Sequence, residues 1–229
     1  MKILAIDTST EACSVALHID GDVKEEFEVV KQSHTDRVLP MIESLLAEAG
    51  MSSVKQFDAI AFGRGPGSFT GIRIGTGVVQ GIAMGADLPV APVSTLAAIA
   101  QGARRNWGAR RVITAIDARM QEIYWGCFQL DEQNLMVPVQ PECVAKPHSL
   151  PVPEGIWFGA GSAWTAYKDE LSTYFEGTIS EQDGAALPHA QDIATLAIDM
   201  VNKNELVSAE LAQPVYLRNE VAWKKIIQQ

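Results

Sequence analysis

The side chains best suited to chemistry are a carboxylate and three hydroxyl-bearing residues in DTST, Asp7 to Thr10, directly after the apolar run KILAI. A carboxylate beside Thr8, Ser9 and Thr10 can hold a hydrated magnesium ion and hydrogen-bond phosphate oxygens. The same string is ordinary turn chemistry, because Asp, Ser and Thr readily bond their own backbone. It gains weight from Asp117, which ends a second apolar run, RVITAID, and could face Asp7 across a cleft. GAGS, Gly159 to Ser162, follows a third run and is a weaker candidate wall. On this reading Asp7, Thr8, Ser9, Thr10 and Asp117 would surround a magnesium nucleotide in a phosphotransferase or ATPase.

Other chemistries fail on spacing. GRGPGSFTGIRIGTG, Gly63 to Gly77, follows the apolar run FDAIAFG and has the composition of a phosphate loop. A Walker loop needs glycines five apart followed by lysine, and neither occurs here. GxGxxG also fails in every register, since Ser68, Thr70 and Gln80 stand where the third glycine belongs. SHTDRVLP places Val38 four residues after His34, so no HxxxH pair forms a metal site. GxSxG is absent, leaving no nucleophile elbow. Cys13, Cys127 and Cys143 lie among apolar residues without CxxC spacing and read as buried, reduced thiols.

The elements that must position these residues follow from periodicity. Residues 2–30 read as three strands, with Asp20, Gly21 and Asp22 turning the last two into an antiparallel pair. SHTDRVLPMIESLLAEAG has helical spacing, with Ser33 as a candidate cap and Gly50 as a stop. The strand FDAIAFG, the glycine-rich helix opened by Ser68, the strand LPVAPVS and a helix opened by Ser94 complete a βββαβαβα order. A second lobe begins near Asn106 and again ends its first strand with an aspartate. A proline-rich stretch, Pro138 to Pro153, precedes the strand IWFGAGS and the helices WTAYKDELSTYF and AQDIATLAIDMVNKN; QPVYLRNEVAWKKIIQQ closes the chain. The expected division is 1–105 and 106–229, with the last helix free to return to the first lobe.

The glycine-rich helix has a cost that needs an explanation. At about 100° per residue, Gly71, Gly75, Gly77, Gly81 and Gly85 share an arc of roughly 160° with Thr70, Ile74, Val78 and Ile82. Ile72, Val79 and Ala83 form a separate flank suited to the lobe's own sheet. Five interior glycines cost about 1 kcal/mol each against alanine. Close approach of a second helix offsets such a cost. That neighbour belongs either to this chain or to another subunit; a smooth apolar face beyond the core flank favours another subunit. Gly71, Ile74, Gly75, Val78, Gly81, Ile82 and Gly85 are therefore the expected interface.

Composition narrows the partners. Lys and Arg number 18 against 28 Asp and Glu, a net charge of −10, which argues against a protein whose main task is gripping nucleic acid. Arg104, Arg105, Arg110 and Arg111 form a small basic cluster that reads as solvated surface. MKILAID offers too short an apolar run for a signal peptide or membrane span, which points to the cytoplasm.

MKILAIDTSTEACSVAL, SHTDRVLPMIESLL, FDAIAFGRGPGSFTGIRIG, DARMQEIYWG and QPVYLRN together resemble the bacterial TsaB (YeaZ) family over most of the chain. The resemblance implies a two-lobed α/β fold of the actin, sugar kinase and Hsp70 type, each lobe ribonuclease H-like with a mixed sheet. It implies a non-catalytic partner of the paralogous enzyme TsaD, which carries the metal-binding HxxxH. TsaD, with the ATPase TsaE, transfers a threonylcarbamoyl group to adenosine 37 of tRNAs that read codons beginning with A. This chain would pair with TsaD through its amino-terminal lobe, form a homodimer when alone, and meet tRNA only through the complex. No cofactor is implied, except a nucleotide at the interface with TsaD. Val38, in place of a second histidine, is the departure expected of the partner.

Overall fold

Ile3 to Ile6 are fully buried on both faces of β1 (Lys2–Asp7), which places this strand at the centre of a sheet. The computed structural model describes residues 1–30 and 33–218. β2 (Ala12–Ile19) and β3 (Asp22–Val29) continue as an antiparallel meander through the turn at Asp20 and Gly21. β4 (Ala59–Gly63) and β5 (Val90–Val93) add in parallel on the other side, giving the order β3-β2-β1-β4-β5. The crossovers α1 (His34–Glu48) and α2 (Phe69–Ala86) cover one face, where Val38, Met41, Leu45, Val79 and Ala83 meet Leu4, Ile6, Val15 and Phe62.

The second sheet repeats the plan. β6 (Arg111–Asp117), β7 (Ile123–Leu130) and β8 (Met136–Pro138) form the meander, and β9 (Cys143–Ala145) pairs with β7. β10 (Trp157–Ala160) and β11 (Ile179–Asp183) add in parallel, so the order β11-β10-β6-β7-β8 mirrors the first sheet. Two mixed sheets with this shared order make a two-lobed fold of the actin, sugar kinase and Hsp70 type. Where the first lobe has α1, the second has the proline-rich stretch with β9 and one 3-10 turn, Pro147–Ser149.

Two helices change sides. α3 (Thr95–Trp107) leaves β5 yet buries Leu96, Ile99, Ala100 and Ala103 against Val112, Phe128 and Phe158 of the second sheet. α6 (Ala190–Asn202) returns to the first sheet, packing Ile193, Ala194 and Ala197 on Ile3, Ala5 and Ala16. A division at residue 105 thus follows the sheets but not the helices. The amino end of α6 is capped from the first sheet: Ala190 N–H donates to Ser14 Oγ (2.9 Å) and Gln191 N–H to Glu25 Oε1 (3.0 Å). The Ser14 hydroxyl and the His189 ring complete this cluster around the Glu25 carboxylate, whose pKa is held low despite burial.

Local expectations fare unevenly. Ser68 and Ser94 cap α2 and α3 through their side chains, whereas Ser33 makes no cap bond to α1. WTAYKDELSTYF breaks at Tyr167 into α4 (Ala163–Ala166) and α5 (Lys168–Tyr174). The tail beyond residue 218 lies outside the described residues.

α3 and α6 are locked together where Gly102 lets Asp192 approach and Arg105 grips both Asp192 oxygens at 2.9 and 2.8 Å. Asp192 is 2% exposed, and burial pushes its carboxyl up against the pull of Arg105. Arg105→Ala is expected to cost about 2–3 kcal/mol, less than the full penalty of a broken buried pair because the arginine is 35% exposed. Urea unfolding checks this; a loss below about 0.5 kcal/mol contradicts the lock.

Candidate functional site

Asp7 ends β1 and its carboxylate turns inward rather than toward solvent. It is 1% exposed, and Oδ1 accepts from both the N–H and the hydroxyl of Ser9 at 2.9 Å. The group lies against Gly63 of β4, where a methyl would stand 1.8 Å from Oδ2 and 3.4 Å from Thr95 Oγ1. Burial pushes its pKa up to about 7, with the Ser9 hydrogen bonds opposing that rise.

The remaining turn residues are structural pegs. Thr8 is 2% exposed and donates its hydroxyl to the Gly71 carbonyl of α2 (2.7 Å). It fits only because two positions on that helix lack a Cβ: a methyl at Gly71 would lie 2.1 Å from Thr8 O, and one at Gly75 2.6 Å from Thr8 Oγ1. Ser9 O accepts from Ser68 N–H (2.7 Å), and Thr10 O accepts from His34 Nε2 (2.9 Å) at the start of α1. His34 is thus a buried structural histidine beside Val38 in the core. Among the described residues, no three His, Cys, Asp or Glu side chains group to hold a metal ion.

The cleft between the lobes has a volume of about 590 Å³ and is lined by Ser9, Thr10, Phe69, Asp117, Ser162 and Arg218, among others. Ser9, Thr10 and Asp117 therefore meet across it, with Ser162 of GAGS as a further wall. Asp7 and Thr8 do not line it, which corrects the expectation of two facing aspartates. Asp117 is itself engaged, accepting from Arg119 N–H (2.8 Å), Arg119 Nη1 (3.0 Å) and the Tyr167 hydroxyl (3.1 Å). These contacts organise the β6–β7 turn, where Arg119, Met120 and Gln121 all adopt left-handed φ values of 62°, 56° and 60°. Each costs a non-glycine residue about 1 kcal/mol or more. Arg218, the last described residue, reaches this turn from the other lobe.

The glycine face divides in two. Gly71 and Gly75 are buried on Thr8 of the same chain, so neither can contact another subunit; the expected interface is corrected at both positions. The close neighbour there is a turn, not a helix. Gly77, Gly81 and Gly85 are exposed with nothing within 4 Å of an added Cβ. Ile74, Val78 and Ile82 are half-buried beside them, and Met84, 60% exposed, adds to the open strip. Gly77 and Met84, outside the expected interface, lie on the same open strip at helical spacing from Gly81 and Gly85. Arg119, Tyr167 and Arg218 were also not anticipated, since the chain brings them together from distant positions.

The Asp7 geometry has a pH signature. Its folded pKa lies above the unfolded value of 3.8, so between about 4 and 7 the folded state keeps a proton that the unfolded state has released. Stability from this group therefore falls as pH rises through that window, by at most about 4 kcal/mol. Asp7→Asn is expected to flatten the fall, making the variant relatively more stable at pH 8 than at pH 5 in denaturant unfolding. Parallel pH profiles for variant and parent contradict the buried, proton-holding Asp7.

Residues 27–226 match the family TsaD, described as tRNA N6-adenosine threonylcarbamoyltransferase. The chain is 46% identical over 230 residues to the tRNA threonylcarbamoyladenosine biosynthesis protein TsaB of Escherichia coli, covering 99% of this chain and 98% of that one. It is 41% identical to the TsaB of Haemophilus influenzae over 236 residues, covering 99% and 97%. The solved structure of YeaZ from Pseudomonas aeruginosa superimposes with a TM-score of 0.89 at 48% identity, covering 94% of this chain and 99% of that one. No helix among the described residues is long and apolar enough to cross a membrane. By this full-length likeness the chain belongs to the TsaB (YeaZ) family, within the wider TsaD-like family.

Proposed function

We propose that the chain is a non-catalytic scaffold subunit for threonylcarbamoylation of adenosine 37 in tRNAs reading codons that begin with A. It pairs with TsaD, forms a homodimer through the same surface when alone, helps recruit TsaE, and meets tRNA only through the complex in the cytoplasm. The observation that carries this reading is the outward strip of α2, where Gly77, Gly81 and Gly85 leave open space beside half-buried Ile74, Val78 and Ile82. Such a strip admits a second helix at close range, and the buried area then offsets the propensity lost to glycine.

The same chain supplies no metal and no nucleotide chemistry of its own in this reading. Support comes from the two aspartates. Asp7 is sealed against Gly63 of β4 with its oxygens on Ser9, and Asp117 is occupied by Arg119 and Tyr167. A magnesium nucleotide held between them, as an ATP-dependent phosphotransferase would require, has no free carboxylate from the first lobe. A nucleotide at the shared interface with TsaD remains compatible with this arrangement.

Reconstitution tests the assignment: tRNA modification by TsaD and TsaE is expected only when this protein is added, and modification at full rate without it contradicts the role. Gly81→Leu is expected to abolish co-purification with TsaD at unchanged Tm. Gly75→Leu instead drives a side chain into Thr8 and is expected to lower stability by about 2 kcal/mol or more. Retained binding by folded Gly81→Leu protein contradicts the assigned surface.

A further inference from the structure

The stretch from Ala212 to Arg218 crosses from one lobe to the other. On the first lobe, Val215 N–H donates to the Arg64 carbonyl (2.8 Å), and Gln80 Nε2 donates to the Ala212 carbonyl (3.0 Å). The Tyr216 hydroxyl accepts from Arg73 Nε (2.9 Å), and its ring lies 5.8 Å from that of Phe69. Two residues later Arg218 reaches the second lobe. Its Nε donates to Glu122 Oε2 at 2.9 Å, with a second guanidinium nitrogen on the same oxygen. It also donates to the Arg119 carbonyl (3.3 Å) and meets the Met120 sulfur at 3.6 Å. All these second-lobe contacts fall on the turn whose three consecutive non-glycine residues are left-handed. A strained turn on one lobe is thus held by an arginine at the end of a strap whose preceding residues are seated on the other.

We propose that Arg218 is a latch across the inter-lobe cleft: its grip on Glu122 and Arg119 holds the β6–β7 turn in its left-handed form and the two walls of the cleft at their observed spacing, and its withdrawal relaxes the turn and lets the walls part. The charged head pairs at partial burial, 19% exposed for Arg218 and 32% for Glu122, so the contact is strong enough to order the turn yet open to competition. Tyr216 and Arg73 sit at the amino end of the outward strip of α2, both accessible. A protein lying along that strip would press on the strap, linking docking to cleft opening. This last step rests on the partner reading above; the latch itself does not.

The test uses the isolated full chain, so its outcome is independent of TsaD. In hydrogen exchange, Arg218→Ala is expected to accelerate the amides of residues 118–122 about tenfold or more while leaving the β1 and β2 amides unchanged. Glu122→Gln, which removes only the charge, should give the same pattern at smaller amplitude. Spin labels at Thr70→Cys and Lys168→Cys, in a Cys143→Ser background with the two buried cysteines retained, should show a longer and broader inter-lobe distance in Arg218→Ala than in the parent. Unchanged exchange at residues 118–122, acceleration spread evenly over both lobes, or an unaltered distance overturns the latch.

Discussion

The insertion of Thr8 beneath α2 is the contact on which the surrounding structure depends. One hydroxyl donates into the first turn of the helix, and two glycines a turn apart make room for it. The same four-residue turn accepts Ser68 N–H at the start of α2 and His34 Nε2 at the start of α1. Both helices of the outer layer therefore hang on DTST. Their opposite faces are left to define the molecular surface, while Ser9 and Thr10 form one wall of the cleft.

This arrangement redirects residues whose types suggest catalysis. A carboxylate in an open turn could serve a metal ion; Asp7, buried against Gly63 and bonded to Ser9, serves the fold and holds a proton near neutrality. The two lobes are joined by exchanged helices rather than a simple hinge, with Arg105 and Asp192 pinning α3 to α6 and Glu25 with Ser14 capping α6 from the opposite lobe. What remains accessible is a cleft in which Asp117, Arg119 and Arg218 are already engaged, and a helix face with missing side chains. On the proposed reading the first serves no magnesium nucleotide and the second takes a protein partner.

Much of the first lobe was legible in the sequence. Alternation, a turn at Asp20 and Gly21, and serine caps at Ser68 and Ser94 are local signals, and they specify β1 to α3 in order. The second lobe was less legible because β8, β9 and β11 are short and sit among prolines or charges, without a long apolar period. The glycine helix shows the limit most clearly. Its spacing implied close packing against a helix, whereas only Gly71 and Gly75 pack closely, against a turn of the same chain; spacing on one helix cannot tell which glycines face such a turn, so these two joined Gly81 and Gly85 in one expected face. Sealing of Asp7 and the meeting of Arg218 with the 119–121 turn depend on contacts far apart in the chain, and no local pattern encodes them.

The direct measurement is hydrogen exchange on this chain with and without TsaD, resolved over residues 69–86 and over the cleft-lining turn at 118–122. The account predicts strong protection across α2 on adding TsaD, centred on the turns that carry Gly77, Gly81 and Gly85. Binding that leaves α2 exchange unchanged, with protection confined to other surfaces, would contradict it.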